Sequence, residues 1–304
     1  MKKGNKYGVH RVIEPEGSLP QPAWKIDNTM EIYDNEILID VQTLNIDSAS
    51  FTQIKEEAAG DEDKIKERIQ QIVTERGKHH NPVTGSGGML IGKVQKIGNQ
   101  LRDRDIKVGD KIATLVSLSL TPLKIDEIID IKKDIDQVHI KGRAILFESG
   151  IYAKLPEDMS ETLALAVLDV AGAPAQTAKL VYPGNSVLII GAGGKSGLLS
   201  LHQAQKQAGI TGQVIALEYS KEACKKIEKL GLADVVIQGD ATDGVQVYEE
   251  VKEITGGHMA DVVINNVNIP NTEMSSIMST RDGGVIYFFS MATSFTKAAL
   301  GAEG

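Results

Sequence analysis

The sequence has a single cysteine, few aromatic residues and no long apolar run. Its 304 residues include only Cys224 as a thiol, which excludes a disulfide framework and a zinc site built from several cysteines. No stretch approaches the roughly 18 apolar residues of a membrane-spanning helix. No apolar run follows the basic residues at the N-terminus, so no signal peptide is predicted. We therefore expect a cytoplasmic protein without a membrane partner.

Basic residues are fewer than acidic residues. The chain has 33 basic and 41 acidic residues, a formal net charge of −8. A broadly negative surface disfavours the binding of nucleic acids and anionic membranes. A small cationic ligand is the class of partner most compatible with this charge. The rest of the composition, 41% hydrophobic and 24% charged, is typical of a globular protein. The length predicts two domains or one large one.

Residues with reactive or metal-binding chemistry are isolated. Cys224 lies in a charged helical pattern and is either a reactive thiol or a small packing residue. We favour packing, because no histidine or second thiol lies near it in sequence. His79 and His80 suggest a metal, but adjacent side chains in a strand or loop diverge and no third ligand is evident. We therefore predict no metal site.

The first part of the chain, residues 1–160, is patterned as short strands. Apolar and polar residues alternate in 36–44 and 89–97, as in a half-buried strand, and a third strand is predicted within 108–116. A charged interruption at 56–78 carries apolar residues at helical spacing. These residues predict one amphipathic helix that packs on its own barrel rather than on a partner: Ile65, Ile69, Ile72 and Val73.

The second part, residues 161–304, alternates strands with helices. Continuous apolar runs are typical of strands that are buried on both faces of a parallel sheet, and they occur at 186–190, 213–217, 234–237, 261–265 and 284–289. This pattern predicts a doubly wound α/β domain. A sixth strand would be expected after the fifth run, so we expect that the domain lacks its C-terminal end.

A glycine-rich loop follows the first of these runs. Gly191, Gly194 and Gly197 fit the spacing G-x-x-G-x-x-G, which permits a tight turn and places a pyrophosphate on a helix N-terminus. A P-loop is excluded, because position 189 is isoleucine where that motif requires glycine. The residues predicted to contact a dinucleotide here are Gly191, Gly193, Gly194, Lys195, Ser196 and Gly197.

An acidic residue ends the second predicted strand of this domain. Glu218 lies 21 residues after Gly197, close to the spacing of the ribose-binding acid in dinucleotide-binding folds. A carboxylate there accepts hydrogen bonds from the ribose hydroxyls and repels a 2′-phosphate, which favours NAD over NADP. The alternative is a solvated strand end. Three residues after the later strands are also predicted to contact the cofactor: Asp240, Asn266 and Ser290.

Several segments together resemble the medium-chain dehydrogenase/reductase superfamily. They are Glu36-Ile-Leu-Ile-Asp-Val, Asn81-Pro-Val-Thr-Gly-Ser-Gly-Gly-Met, Val108-Gly-Asp-Lys-Ile and Pro183-Gly-Asn-Ser-Val-Leu-Ile-Ile-Gly. The resemblance implies an α/β fold with an N-terminal GroES-like β-barrel domain, followed by a Rossmann domain with a doubly wound parallel sheet.

The departures from this superfamily imply a zinc-free member. Zinc-dependent members have cysteine where this chain has Asn45, and His-Glu where it has Ser86-Gly87. They have a further cysteine near Asp169. Each candidate position for a catalytic zinc is therefore changed.

Longer segments resemble the family of L-erythro-3,5-diaminohexanoate dehydrogenases. They lie at 6–15, 43–51, 80–92, 147–152, 168–177 and 287–300. The resemblance implies NAD-dependent oxidative deamination of C3 during lysine fermentation, giving 5-amino-3-oxohexanoate and ammonia. It also implies a small cationic diamino-acid substrate and a homodimer or homotetramer.

This chemistry requires a base, because an alkylammonium must lose a proton before hydride can leave. Asp47, Glu148 and Asp169 are the candidate carboxylates, and each has a structural alternative as a surface, turn or helix-capping residue. Ser48 and Ser86 are candidate hydroxyl groups for substrate or water, and Thr84 is a weaker one.

Two other functions remain open at this point. A zinc-free quinone or enoyl reductase would share the loop spacing, although Glu218 disfavours those that use NADPH. A non-catalytic NAD-binding protein is disfavoured by the polar residues retained at the presumed pocket.

Overall fold

The computed structural model describes residues 2–156, 158–290 and 292–301, and the chain forms two compact units, Met1–Asp169 and Val170–Gly304. The strands are β1 (Val12–Glu14), β2 (Lys25–Ile26), β3 (Glu36–Ile46), β4 (Gly88–Ile97), β5 (Lys111–Thr114), β6 (Leu123–Lys132), β7 (Gln137–Phe147), β8 (Tyr152–Lys154), β9 (Ser186–Ile190), β10 (Gln213–Glu218), β11 (Val235–Gln238), β12 (Ala260–Asn265) and β13 (Thr280–Phe288).

The helices are α1 (Ser48–Glu57), α2 (Glu62–Arg76), α3 (Glu161–Leu168), α4 (Gly172–Leu180), α5 (Lys195–Ala208), α6 (Lys221–Leu230), α7 (Gly244–Ile254), α8 (Glu273–Met278) and α9 (Phe295–Leu300). Short 3₁₀ turns occupy Val9–Arg11, Asn99–Leu101 and Gly209–Thr211. Among the described helices, none combines the length and apolar character needed to cross a membrane.

The first unit is built on a six-stranded antiparallel sheet with the order β6-β7-β3-β4-β5-β8. The central strand β3 is buried along nearly its whole length, rather than on one face as its alternating sequence predicted. Ile37 and Ile39 enter the main core cluster, whereas Leu38 packs into a second cluster with Ile145 and Phe147. The second cluster covers the face that the alternation left to solvent.

The charged interruption contains the predicted amphipathic helix and follows another helix that was not predicted. In α2, the four predicted apolar residues are buried in the main core cluster of the first unit: Ile65, Ile69, Ile72 and Val73. Asp61 caps its N-terminus, and Gly77 ends it in the left-handed conformation with φ 73°. The additional helix α1 begins after its N-cap, Asp47.

A buried ion pair fastens the N-terminal segment to β3. Arg11 Nε and Nη2 donate to the two carboxylate oxygens of Glu36, both at 2.7 Å, and both side chains are 1% exposed. Burial alone would raise the pKa of Glu36. Hydrogen bonds from Arg11 and His10, the Arg11 charge and the Tyr33 N–H outweigh burial and hold that pKa at about 2.

The second unit is a five-stranded parallel sheet with the order β11-β10-β9-β12-β13. Along β9, Val187 and Ile189 enter one core cluster, and Leu188 and Ile190 enter another. The strand is thus buried on both faces, as its continuous apolar run predicted. The predicted fold class, an antiparallel N-terminal domain followed by a doubly wound parallel sheet, is confirmed.

Candidate functional site

The glycine loop connects β9 to α5, and two of its glycines are required by packing. Gly191 has φ 73°, and a Cβ there would lie 2.8 Å from the backbone nitrogen of Val267. A Cβ on Gly197 would overlap the carbonyl oxygen of Gly191. These two positions exclude larger residues without reference to any ligand.

Gly194 has no such internal reason to be glycine. Its φ is −73°, and the nearest atom to an added methyl group would be Gly191 O at 3.9 Å. Gly194 is the N-cap of α5 and provides no side-chain cap for the helix N–H groups. Lys195 and Ser196 form the first turn. The open space beside uncapped N–H groups fits a phosphate group.

Glu218 is tied to this loop by hydrogen bonds. Its Oε2 accepts from the Gly193 N–H at 2.8 Å, and its Oε1 accepts from the Ser220 N–H at 2.9 Å. The carboxylate therefore helps to shape the loop, a role that its sequence spacing did not indicate. Its free lone pairs still allow it to accept hydrogen bonds from ribose hydroxyls.

Cys224 lies beneath the same strand end. It is 6% exposed, and its Sγ is 3.5 Å from the carbonyl oxygen of Glu218. Burial, followed by the negative charges of Glu218 and Glu228, raises the pKa of the Cys224 thiol. A thiol held protonated is a poor nucleophile, which agrees with a packing role.

Three further predicted residues follow successive strands of the parallel sheet. After β11, Asp240 accepts from the N–H and the hydroxyl group of Thr242, both at 2.8 Å, and these bonds lower the pKa of Asp240. After β13, Ser290 Oγ accepts from the Ala292 N–H at 3.1 Å. After β12, both amide atoms of Asn266 are buried and have no hydrogen-bond partner among the described residues.

These observations show that the carboxyl edge of the sheet fits a dinucleotide. Gly194 leaves room that the protein does not use, and Asn266 presents polar atoms that the protein does not satisfy. Glu218 supplies an acid beside the loop. A nicotinamide dinucleotide has the phosphate, hydroxyl and amide groups that complement such a surface.

In the first unit, three predicted residues meet at one end of β3. Asp47 Oδ1 accepts from the Ala49 N–H at 3.0 Å, so Asp47 caps α1. Ser48 Oγ donates to Asp136 Oδ2 at 2.7 Å. The Asp47 N–H donates to Gly87 O at 3.2 Å, which places the Ser86–Gly87 segment beside the start of α1.

The hydroxyl groups of this segment are paired with each other. Ser86 Oγ and Thr84 Oγ1 are 2.9 Å apart, and the Ser86 side chain is half-buried. A hydroxyl pair of this kind can donate one proton outward, which suits the orientation of a polar ligand or water.

Asp169 ends α3 and is exposed. Leu165 and Leu168 of this helix pack with Met89 and Ile91 at the start of β4, the strand that follows the Ser86–Gly87 segment. Asp169 lies two residues before Ala171, which occupies the N-cap position of α4. Its two alternatives, a functional acid and a residue that stabilises the start of α4, both remain open.

Glu148 does not lie near Asp47, so the structure does not bring these two candidate carboxylates together. It follows Phe147, which pairs with Glu36 at the opposite end of β3 from Asp47. Its carboxylate accepts from Asn35 Nδ2 at 2.9 Å. The 11 residues of β3 separate the two ends, roughly 30 Å of strand. The position of Glu148 after β7 depends on strand register, which its local sequence does not reveal.

The positions considered for a metal do not form a zinc site. His79 is fully buried, and burial lowers its pKa to about 4. His80 Nδ1 faces Arg76 Nη2 at 3.3 Å, and Asn45 Oδ1 lies 3.5 Å from Gln137 Nε2. Within the described ranges, no three His, Cys, Asp or Glu side chains are grouped as metal ligands. The donor set present here does not fit zinc.

One perturbed titratable group was not anticipated from the sequence. Lys78 is fully buried, and its Nζ donates to Pro20 O at 2.5 Å and to Gln21 O at 2.9 Å. Burial, assisted by the charge of Arg76, lowers the pKa of Lys78 to about 7. Its bonds to two backbone carbonyls give it a role in holding the segment at 20–21.

Comparisons with known proteins identify the family of this chain. Residues 10–156 match the family described as L-erythro-3,5-diaminohexanoate dehydrogenase N-terminal domain, and residues 197–300 match the family described as zinc-binding dehydrogenase. The L-erythro-3,5-diaminohexanoate dehydrogenase of Acetoanaerobium sticklandii is 66% identical over 303 residues, covering 99% of this chain and 88% of that protein. The enzyme of the same name from Fusobacterium nucleatum is 62% identical over 305 residues, covering 100% of this chain and 88% of that protein.

A solved structure shows the same fold at low identity. A quinone oxidoreductase of Pseudomonas syringae has a TM-score of 0.57 and 18% identity, covering 91% of this chain and 73% of that one. The sequence identity of 66% and 62% with the two dehydrogenases is stronger evidence for the family than this structural likeness. The chain belongs to the family of L-erythro-3,5-diaminohexanoate dehydrogenases, which has the medium-chain dehydrogenase/reductase fold.

Proposed function

We propose that this protein removes the C3 amino group of L-erythro-3,5-diaminohexanoate as ammonia, with NAD as the oxidant, and yields 5-amino-3-oxohexanoate. The observation that carries the proposal is the identity of 66% and 62%, over nearly the whole chain, with two enzymes of that name. It favours an amine dehydrogenase over the quinone or enoyl reductases, for which the support is the fold alone.

The second unit holds the cofactor. The N–H groups of the first turn of α5, beside Gly194, bind the pyrophosphate, and Glu218 accepts hydrogen bonds from the adenosine ribose. When bound, the nicotinamide group accepts the hydride that leaves C3. The carboxylate of Glu218 is the basis for NAD over NADP, because it would repel a 2′-phosphate at the same position.

The first unit supplies groups for proton transfer. Asp47 or Asp169 accepts a proton from the C3 ammonium, which frees the nitrogen lone pair for oxidation. Ser48 and Ser86 orient the amine or the water that replaces it. No step is assigned to zinc, because asparagine and serine at positions 45 and 86 do not replace cysteine and histidine as tight ligands.

The overall reaction balances without a further reactant. One substrate ammonium, one oxidised cofactor and one water give one ketone, one ammonium ion, one reduced cofactor and one proton. A candidate carboxylate that does not act as the base would hold the C5 ammonium as a counter-ion. The negative net charge of the chain, −8, agrees with a cationic substrate.

A substrate comparison tests this function. The purified protein is incubated with the diamino acid and either NAD or NADP, and separately with a quinone or an enoyl thioester and NADPH. We expect reduction of NAD with the diamino acid and no oxidation of NADPH in the reductase assays. NADPH oxidation without any amine oxidation would contradict the proposal and support a reductase.

We further propose that the chain forms a homodimer or homotetramer, as its resemblance to the superfamily implies. Light scattering coupled to size-exclusion chromatography would give two or four times the chain mass of 32.8 kDa. A monomeric mass at micromolar concentration would contradict this.

A further inference from the structure

The strand order of the parallel sheet places Asn266 in a crevice. β9 has β10 on one side and β12 on the other: the chain moves from β9 to β10 and β11 on one side, and the connection after β11 crosses back to β12 on the other side. Such a reversal opens a crevice outside the carboxyl ends of the two strands. Asn266 is the first residue after β12, and its N–H donates to Ile190 O, at the end of β9, at 2.9 Å. It therefore lies at the crevice, beside the first residue of the glycine loop.

The side chain of Asn266 differs from that of its neighbour. Asn265 Nδ2 donates to Thr272 Oγ1 and Ser276 Oγ, both at 2.9 Å. Oδ1 and Nδ2 of Asn266 are equally buried but lack any partner in the described part of the chain. Because buried amides in proteins are normally hydrogen-bonded, this contrast indicates that a ligand provides the partners of Asn266.

The position of Asn266 relative to β9 indicates which half of the dinucleotide lies beside it. The proposed function places the adenosine ribose at Glu218, which ends β10, and the pyrophosphate at the start of α5. Because β10 and β12 flank β9 on opposite sides, a dinucleotide that crosses this edge extends its other half over β12. That half is the nicotinamide nucleoside.

We propose that the side-chain amide of Asn266 hydrogen-bonds the nicotinamide nucleoside of the bound cofactor. This inference rests on the proposed function, which requires the cofactor. An amide both donates and accepts, and so do the ribose hydroxyls and the carboxamide of that nucleoside. Asn266 thereby fixes the half of the cofactor that receives the hydride.

Two binding probes test the assignment. NAD contains the nicotinamide nucleoside, whereas ADP keeps the adenosine and both phosphates but lacks it. Calorimetry would compare the wild type with Asn266→Ala and Asn266→Leu, and with Gln246→Ala as a control on exposed surface of the same unit. We expect the Kd for NAD to rise about tenfold or more in both Asn266 variants, and the Kd for ADP to stay within about twofold.

The melting temperature without cofactor provides a second readout. Because the amide makes no hydrogen bond within the described residues, both variants should melt at or above the wild-type temperature. A large decrease would show a structural amide and overturn the inference. Equal weakening of NAD and ADP, or weakening of neither, would also overturn it. A wild type that binds no NAD at all would overturn the proposed function, and this inference with it.

Discussion

The carboxylate of Glu218 is hydrogen-bonded to the backbone N–H of Gly193, at 2.8 Å. The bond joins the end of β10 to the loop that follows β9, and the second carboxylate oxygen accepts from Ser220 at 2.9 Å. Two backbone donors hold the negative charge in one place beside the loop. The residue that we propose to select the cofactor thus also shapes the glycine loop.

Replacement of Glu218 should change cofactor preference. In Glu218→Ala, the Kd for NAD should rise, because the variant loses the acceptor for the ribose hydroxyls. The difference between the Kd values for NAD and NADP should become smaller, because the variant also loses the charge that repels the 2′-phosphate. Each hydrogen bond to a charged group contributes roughly 1.5–3 kcal/mol. Glu218→Gln is the matched variant, since it can keep one loop bond without the charge. A wild type that prefers NADP would show that this assignment is wrong.

Gly194→Ala separates ligand binding from folding. The backbone at Gly194 suits alanine, and nothing lies within 3.4 Å of the added methyl group. Alanine reduces the entropy of the unfolded chain but is a poorer N-cap than glycine, so these two effects should roughly offset and the free energy of unfolding should change by less than about 1 kcal/mol. The Kd for NAD should rise about tenfold or more, because the methyl group occupies the space assigned to phosphate. Gly197→Ala is the contrasting control and should be destabilised by overlap with Gly191 O. Unchanged NAD affinity in Gly194→Ala would place the pyrophosphate elsewhere.

The candidate bases should affect turnover rather than affinity. We expect Asp47→Asn or Asp169→Asn to lower kcat about a hundredfold or more, within the roughly 10²–10⁴ range of acid–base catalysis. Asparagine is also a good N-cap, so Asp47→Asn should remain folded. Asp61→Asn is the matched control, since Asp61 caps α2 in the same way. Near-normal kcat in both variants would show that neither carboxylate is the base. Water or a serine would then have to accept the proton.

The buried pair of Arg11 and Glu36 should make the first unit sensitive to acid. The folded-state pKa of Glu36 is about 2, below its ordinary value of 4.5, so the pair stabilises above about pH 4.5 and this contribution is lost as the pH falls toward 2. Glu36→Gln should lower the free energy of unfolding by roughly 3–5 kcal/mol near neutral pH. The difference in the free energy of unfolding between Glu36→Gln and the wild type should become smaller as the pH falls from about 4.5 toward 2.

Trp24 offers a local probe for this measurement. It is the single tryptophan, it lies in the first unit, and its ring is 4.3 Å from the guanidinium carbon of Arg76. Urea unfolding followed by its fluorescence would compare the wild type with Glu36→Gln and with Glu16→Gln, a control at an exposed carboxylate. A difference that stays constant from neutral pH to pH 2 would contradict the role of this charge.

The sequence predicted best those features that depend on local patterns. The continuous apolar runs predicted β9 to β13, and helical spacing predicted α2, because burial on both faces or on one stripe leaves a strong periodic signal. Helix α1 was missed because only Ser50, Phe51 and Ile54 are buried in it, which is too few for a clear period.

The candidate site was predicted in part, for a related reason. The glycine loop and Glu218 lie within one local unit, so their spacing could indicate a site. Glu148 was grouped with Asp47 although strand pairing places them at opposite ends of β3. Register between distant strands is set by tertiary packing, which the neighbouring residues do not report.

Amine oxidation with release of ammonia is tested most directly by the stoichiometry of one reaction. Purified protein is incubated with NAD and L-erythro-3,5-diaminohexanoate, NADH is followed by absorbance, and ammonia is measured in the same sample. Oxidative deamination predicts one NADH and one ammonia for each diamino acid consumed, and none of either without NAD. NADH formed without ammonia, or no NADH from a folded protein that binds NAD, would contradict the proposed deamination.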